Sequence, residues 1–125
     1  MGLALVALLA AEATMASALP ELIVEAPPEL RSEALAVRQV DLRRYEAAAR
    51  LTGLRGSQPP IRLALVPEGT PQATAVPPWI SGYAYGALGR IVLLPERTPS
   101  YPDGSLEELL LHELTHVLVA RAAAG

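Results

Sequence analysis

Short apolar runs that end at proline or glycine predict the strands of this chain. Each run is four to six residues long and rich in Val, Ile, Leu or Tyr, and turn-forming residues follow it. The run at residues 61–66 alternates in part between apolar and polar positions, which is typical of a half-buried strand. The pattern predicts four strands, at residues 22–25, 61–66, 82–86 and 90–94.

A longer segment, residues 29–52, contains neither proline nor glycine and is rich in Ala, Leu, Arg and Glu. Apolar positions recur there at helical spacing and charged positions fall on the opposite side, which predicts one amphipathic helix that ends near Gly53. We interpret the charged side as a solvated helix face. The predicted apolar face consists of Val37, Val40, Ala47, Ala48 and Leu51.

The last segment predicts a second helix, from about Ser105 to Ala123. Ser105 is a good N-cap, and Glu108, three residues later, completes a capping-box pattern. The helix is apolar nearly all round, so we expect it to be buried. The order strand, helix, strand, short strand, strand, helix predicts an α+β fold: a small mixed sheet with an N-terminal helix and a buried C-terminal helix.

The composition argues against nucleic-acid binding and excludes a metal site built from cysteines. The chain has 125 residues, a net charge of −3 and no cysteine. Its arginines are spread along the chain, so it lacks the dense basic patch of a nucleic-acid-binding protein. Without thiolates, any metal must be held by histidines and carboxylates. The absence of Lys, Asn and Phe beside abundant Ala, Leu, Pro and Arg suggests a GC-rich bacterial gene.

The N-terminus carries a short apolar run, residues 3–11, followed by the small residues Ala16-Ser17-Ala18. The run is too short to span a bilayer, which takes about 20 residues. The small residues match a secretory cleavage site, although a basic region is missing. We therefore expect residues 1–18 to be a signal peptide, with an Ala/Leu-rich helix as the alternative. Export or membrane association in a bacterium follows from the first interpretation, and a cytoplasmic location from the second.

The sequence His112-Glu-Leu-Thr-His116 lies within the last predicted helix. Histidines four residues apart leave a helix on the same side, where both can bind one Zn²⁺ ion. Glu113 follows the first histidine and lies beside the metal, where its carboxylate can take a proton from metal-bound water. The pattern therefore predicts His112 and His116 as metal ligands and Glu113 as the catalytic base. The alternative is a structural helix with two incidental histidines.

With this motif, the chain resembles gluzincin-type zinc peptidases, and more closely the bacterial peptidase-MA-like metallohydrolases. The resemblance rests on HELTHVL at residues 112–118 and, more weakly, on PPWISGYAYG and GRIVLLPE before it. It covers the chain from about Leu22 onward. It implies zinc-dependent hydrolysis of a peptide bond in a peptide or protein substrate.

The resemblance also implies how a substrate would bind. The strand before the zinc helix would be an edge strand along which an extended peptide docks. Arg90, Ile91, Val92 and Leu93 would then be substrate-binding residues. Trp79, together with Tyr83, would lie near the mouth of the cleft, with packing in the core as the alternative for Trp79.

In the family pattern the third zinc ligand is a glutamate on a later helix, and no such segment follows His116 here. None of the upstream acids Asp103, Glu107 and Glu108 takes its place. We therefore expect residues 19–125 to be the N-terminal part of a catalytic domain, inactive alone, whose full-length protein is exported or associated with a membrane. The alternatives are a non-catalytic metal-binding or scaffold domain and a structural module.

Overall fold

The computed structural model describes residues 19–54, 56–97 and 105–124. Within them lie four strands and four α-helices, joined by loops and short 3₁₀ turns. The predicted signal peptide, residues 1–18, lies outside the described residues. The strands are β1 (Leu22–Glu25), β2 (Ile61–Leu65), β3 (Gly82–Tyr85) and β4 (Arg90–Leu93), and the helices are α1 (Arg31–Arg38), α2 (Glu46–Arg50), α3 (Pro71–Thr74) and α4 (Leu106–Ala124).

The strands form one mixed sheet in the order β1-β2-β4-β3. Strands β1, β2 and β4 are parallel, whereas β3 runs antiparallel to β4. The short helices and the long helix α4 accompany this sheet, so the predicted α+β class with a small mixed sheet is confirmed. Each of the four predicted strands is also present, within one residue of its predicted end.

The two faces of the sheet carry different apolar clusters, because side chains alternate along each strand. One face packs against α4 and α1, and its fully buried strand residues are Ile61, Leu63, Ile91 and Leu93. The opposite face carries a smaller cluster, in which Val92 and Leu94 pack with Val66, Ala73 and the partly buried Tyr83. The larger cluster therefore fixes α4 against the sheet.

The prediction of one helix over residues 29–52 is wrong. Helix α1 ends at Arg38, and a 3₁₀ turn, Leu42–Tyr45, precedes the short helix α2. Asp41 causes the restart: its backbone is extended and its carboxylate accepts a hydrogen bond from the Arg43 N–H at 3.1 Å. Aspartate is a strong N-cap, so it favours a new turn over continuation of the old one.

Because of this break, the residues after Asp41 do not continue the helical periodicity of α1. Val37 is buried as predicted, but Ala47 and Ala48 are exposed, and Leu51 is 89% exposed. Ala49, which was outside the predicted apolar face, is buried instead. The predicted apolar face is therefore correct only for α1 and the residues next to it.

Helix α4 begins as predicted and is fixed at both ends. Ser105 Oγ accepts a hydrogen bond from the Glu108 N–H at 3.0 Å, which caps the first turn. Near the other end, Arg121 donates to the carbonyl oxygens of Pro59 and Pro60 at 2.8 and 3.3 Å. Partial burial lowers the pKa of the Arg121 guanidinium. The first contact stabilises the start of the helix, and the second joins its end to the segment before β2.

Gly86 allows α4 to approach the end of β3 closely. A Cβ atom at Gly86 would lie well inside van der Waals contact with Ala120 Cβ, and 3.7 Å from the carbonyl oxygen of His116. Gly82, at the start of β3, would bring a Cβ atom to 3.1 Å from Leu109 Cδ1. The two glycines and Ala84 between them give β3 a face of small residues against the helix.

Gly86→Ala is expected to lower the free energy of unfolding by about 1–3 kcal/mol, because the added methyl group overpacks this contact. Combining it with Ala120→Gly removes the clash, so the pair should show a favourable coupling energy in a double-mutant cycle. Urea denaturation of the two single variants and the double variant measures this coupling. The single Ala120→Gly variant is the reference for the cost of glycine within a helix, about 1 kcal/mol. Additive effects would contradict the close approach.

Candidate metal centre

His112 and His116 lie one turn apart on α4, and both side chains are exposed. Their Nε2 atoms are 3.2 Å apart, and the rings meet edge to face with centroids separated by 4.7 Å. The i, i+4 spacing produces this arrangement, since Cα–Cβ bonds four residues apart point in similar directions. The two imidazoles thus present their Nε2 atoms to the same point outside the helix.

The separation of the two Nε2 atoms suits a tetrahedral metal. Two ligands at about 2.0–2.1 Å from a tetrahedral Zn²⁺ ion are themselves about 3.3–3.4 Å apart. The observed 3.2 Å is close to this value. Without a metal, the same separation allows one neutral imidazole to donate a hydrogen bond to the other, depending on the tautomers.

Glu113 is the third side chain beside the two histidines. Its side chain is only 5% exposed, and one of its carboxylate oxygens lies within 4.8 Å of the ligand atoms of both histidines. No hydrogen bond or ion pair from another described residue reaches this carboxylate. A buried carboxylate without a partner is costly, whereas a nearby cation compensates its charge. His112, Glu113 and His116 therefore form a group of side chains that could hold a metal ion.

The expectation that α4 is buried is confirmed for the side that packs on the sheet, whereas the other side is exposed. The residues that face the sheet are buried, but His112 and His116 are exposed and Val119 is 51% exposed. A small sheet covers only part of a helix surface, so the remaining apolar positions stay at the surface. Glu113 is therefore the only buried polar side chain among the described residues of α4. The fully buried residues of α4 are Leu110, Leu114, Val117 and Leu118.

Strand β3 runs alongside the same part of α4. Gly82 lies beside Leu109, and Gly86 lies beside Ala120 and the carbonyl of His116. Positions 109, 113, 116 and 120 are on one side of a helix, so Glu113 is on the side of α4 that faces this strand. The three side chains of the candidate metal centre are therefore next to β3 rather than to β1 or β2.

The expectation that residues 90–94 form an unpaired edge is wrong. Strand β4 pairs with β2 on one side and with β3 on the other, so it has no free edge. Ile91, Val92 and Leu93 are also buried, and Arg90 is exposed. The assignment of these four residues to substrate binding rested on the free edge and loses that support. Three consecutive residues of β4 are buried, so both faces of the strand are covered, which favours a central position for it.

The free edge beside α4 belongs to β3. Leu94 N–H donates to the carbonyl of Ser81 at 2.8 Å, so Tyr83 and Tyr85 direct their backbone groups toward β4 in the same pattern. The N–H and C=O groups of Gly82 and Ala84 point the other way, and no described strand pairs with them. At the opposite edge of the sheet, Arg38 donates a side-chain hydrogen bond to the Val24 carbonyl of β1 at 3.3 Å.

Trp79 precedes β3 by three residues and is 83% exposed, so packing in the core is wrong for it. Its assignment to substrate binding stays a prediction. Tyr83 is half-buried in the smaller cluster and meets the exposed Tyr85 edge to face, with ring centroids 5.5 Å apart. Sequence reasoning missed β3 as the edge strand. The available signal was the alternation of small residues at 82, 84 and 86, which is typical of close backbone approach.

Among the described residues, the only acidic side chain that joins the two histidines is Glu113. Glu107 and Glu108 are exposed in the first turn of α4, where they complement the helix dipole. Asp103 lies outside the described residues. With Glu113 as a base rather than a ligand, the described part of the chain supplies two protein ligands.

A cavity of about 140 Å³ lies on another side of α4. Tyr45 lines it, and burial raises the pKa of the Tyr45 hydroxyl. Asp41, which also lines it, has its pKa lowered by hydrogen bonds from Arg43. The cavity does not include the histidines, so we do not assign it to the candidate metal centre. Its other lining residues are Arg44, Glu107 and Leu111.

No protein family, curated protein or solved structure matches the chain. The similarity to zinc peptidases is therefore limited to the cluster His112-Glu113-His116 on α4. None of the helices within residues 19–54, 56–97 and 105–124 has the length and apolar character needed to cross a bilayer.

Proposed function

We propose that the protein containing this chain is a zinc-dependent peptidase in which His112 and His116 bind the metal and Glu113 is the general base. The observation that carries the proposal is the geometry of the group. Two Nε2 atoms 3.2 Å apart lie beside a buried carboxylate that no other described side chain compensates. A helix with a purely structural role does not require two adjacent imidazoles beside a buried carboxylate.

The residues of the chain have distinct roles in the proposed reaction. When bound, zinc polarises the carbonyl of a peptide bond and makes a water molecule more acidic. Glu113 accepts a proton from the attacking water and then donates it to the leaving amine. Its burial holds the carboxylate in one position beside the ligand atoms of both histidines.

The edge of β3 supports a peptide as the substrate. An extended peptide can pair with the free N–H and C=O groups of Gly82 and Ala84, as an added strand of the sheet. This pairing would align the peptide with the side of α4 that carries Glu113. The prediction of strand addition is thus kept, but the docking strand is now β3 instead of β4.

A cleavage assay tests the proposed function. Because residues 19–125 alone are expected to be inactive, the assay uses the whole protein that contains this chain. In its zinc-loaded form, this protein is expected to cleave fluorescein-labelled casein, to lose the activity with a chelator, and to recover it when zinc is returned. The His112→Ala variant, treated in parallel, is the control for contaminating peptidases. Cleavage that persists in this variant, or that a chelator leaves unchanged, would exclude the proposed role of the site.

A non-catalytic metal-binding domain is the second candidate function. The exposure of both imidazoles favours it, since an open surface site excludes water less well than a closed cleft does. Stoichiometric zinc binding that requires both histidines, without cleavage of casein, would support this candidate over a peptidase.

A further inference from the structure

The side chain of Arg97 holds a loop together in front of β3. It is only 13% exposed. Its Nη1 atom donates to the carbonyl oxygens of Pro77 and Ile80, both at 3.0 Å, and to that of Val76 at 3.3 Å. Its Nη2 atom donates to the Ala73 carbonyl at 2.9 Å. One guanidinium thus satisfies four backbone carbonyls in a single loop.

Glu68 fixes Arg97 from the other side, and Glu96 holds Glu68 in place. Glu68 accepts hydrogen bonds from Arg97 Nε and Nη2 in a bidentate ion pair. The Glu96 carboxylate in turn accepts a hydrogen bond from the Glu68 N–H at 2.8 Å. The planar fork of an arginine suits this set of acceptors, whereas the single ammonium group of a lysine does not. The segment at residues 67–81 is therefore held by a polar network as well as by Ala73 and Val76 of the smaller apolar cluster.

This network presents Trp79 to solvent. Trp79 lies between Pro77 and Ile80, whose carbonyls both bind Arg97, yet its own side chain is 83% exposed. An ordered loop with an exposed tryptophan gains little stability from that side chain, because the ring buries little apolar area. An aromatic ring on a backbone that is already held in place is, however, a strong contact for a partner, since the loop loses little conformational entropy when the ring binds.

We propose that Arg97 is a positioning residue, which fixes Trp79 as the contact for an apolar side chain of an extended peptide lying on the edge of β3. The inference rests on the proposed function, because it places the peptide on the same strand. Trp79 is three residues before Gly82, so its Cα atom is within about 11 Å of the start of the edge. The site therefore prefers peptides with a large apolar side chain beyond the part that pairs with Gly82 and Ala84.

Peptide binding tests the inference separately from cleavage. Two fluorescein-labelled octapeptides are compared, one alternating Leu with Thr and one alternating Ser with Thr, on zinc-loaded protein carrying Glu113→Gln to prevent turnover. Fluorescence anisotropy of the label gives the Kd of each peptide. Because Trp79 is the single tryptophan of the chain, its own anisotropy reports the order of the loop in the same samples.

Arg97→Lys is expected to lower the anisotropy of Trp79 and to raise the Kd of the Leu peptide about tenfold, the scale of one lost apolar contact. The Kd of the Ser peptide should stay within about twofold, because it makes no such contact. Trp79→Ala should raise the Kd of the Leu peptide to the same extent. Arg62→Lys is the matched control, since Arg62 is in an exposed ion pair with Glu25, and both Kd values should be unchanged in it.

Several results would overturn the inference: no preference for the Leu peptide in the parent protein, binding of neither peptide, or an equal loss of both peptides in Arg97→Lys. Glu68→Gln is the second variant if Arg97→Lys does not fold, with an effect in the same direction. Casein cleavage without a preference for the Leu peptide contradicts only the role of Arg97 and Trp79. A preference that depends on Arg97, without casein cleavage, contradicts only the peptidase.

Discussion

Glu113→Gln is expected to reduce kcat for casein cleavage by a factor of about 10²–10⁴, the usual contribution of general acid–base catalysis, while zinc stays bound. Glutamine has nearly the same shape as glutamate but cannot accept the proton of the attacking water at neutral pH. The buried position of Glu113 makes it difficult for another carboxylate to take over. Steady-state cleavage rates and the zinc content of the same preparations measure the two effects.

Glu108→Gln is the matched control for this substitution. Glu108 is exposed in the first turn of the same helix and is outside the group formed by His112, Glu113 and His116. Its replacement removes the same charge from α4, so the activity should change by less than about twofold. An unchanged rate in Glu113→Gln would remove Glu113 as the base. A loss of bound zinc from Glu113→Gln would instead make Glu113 a metal ligand.

His112→Ala and His116→Ala are each expected to weaken zinc binding by at least about a hundredfold, because even residues behind the metal ligands typically contribute about 10–100-fold to affinity. Each substitution leaves one imidazole, and a single imidazole cannot define a tetrahedral site. Zinc titration by calorimetry gives the Kd for each variant. Both rings are exposed, so the fold should be retained, and the circular dichroism spectrum checks this.

Thr115→Ala is the control for the histidine substitutions. Thr115 lies between the two histidines on α4, but its hydroxyl donates a hydrogen bond to the Leu111 carbonyl at 2.8 Å within the helix. Zinc affinity should therefore be close to that of the parent protein. Equal zinc affinity in the parent and both histidine variants would show that the imidazoles are not ligands.

Local sequence patterns were sufficient for the four strands, for the last helix and for the candidate metal centre. Prolines and glycines bounded the strands, and Ser105 marked the start of α4, because capping and turn geometry depend on a few neighbouring residues. The spacing of His112, Glu113 and His116 placed the three side chains together for the same reason, since one helical turn fixes their positions. Asp41 was the local signal that the helix prediction overlooked.

The order of the strands and the burial of α4 were decided only by the tertiary structure. The resemblance to zinc peptidases implied β4 as the edge strand, but β3 pairs back on β4 and takes that place, because β4 can bury apolar side chains on both faces. The sequence of α4 is apolar nearly all round, so its pattern did not show which positions would stay exposed. Packing against one small sheet determines which positions are covered. It leaves the two imidazoles at the surface and Glu113 buried.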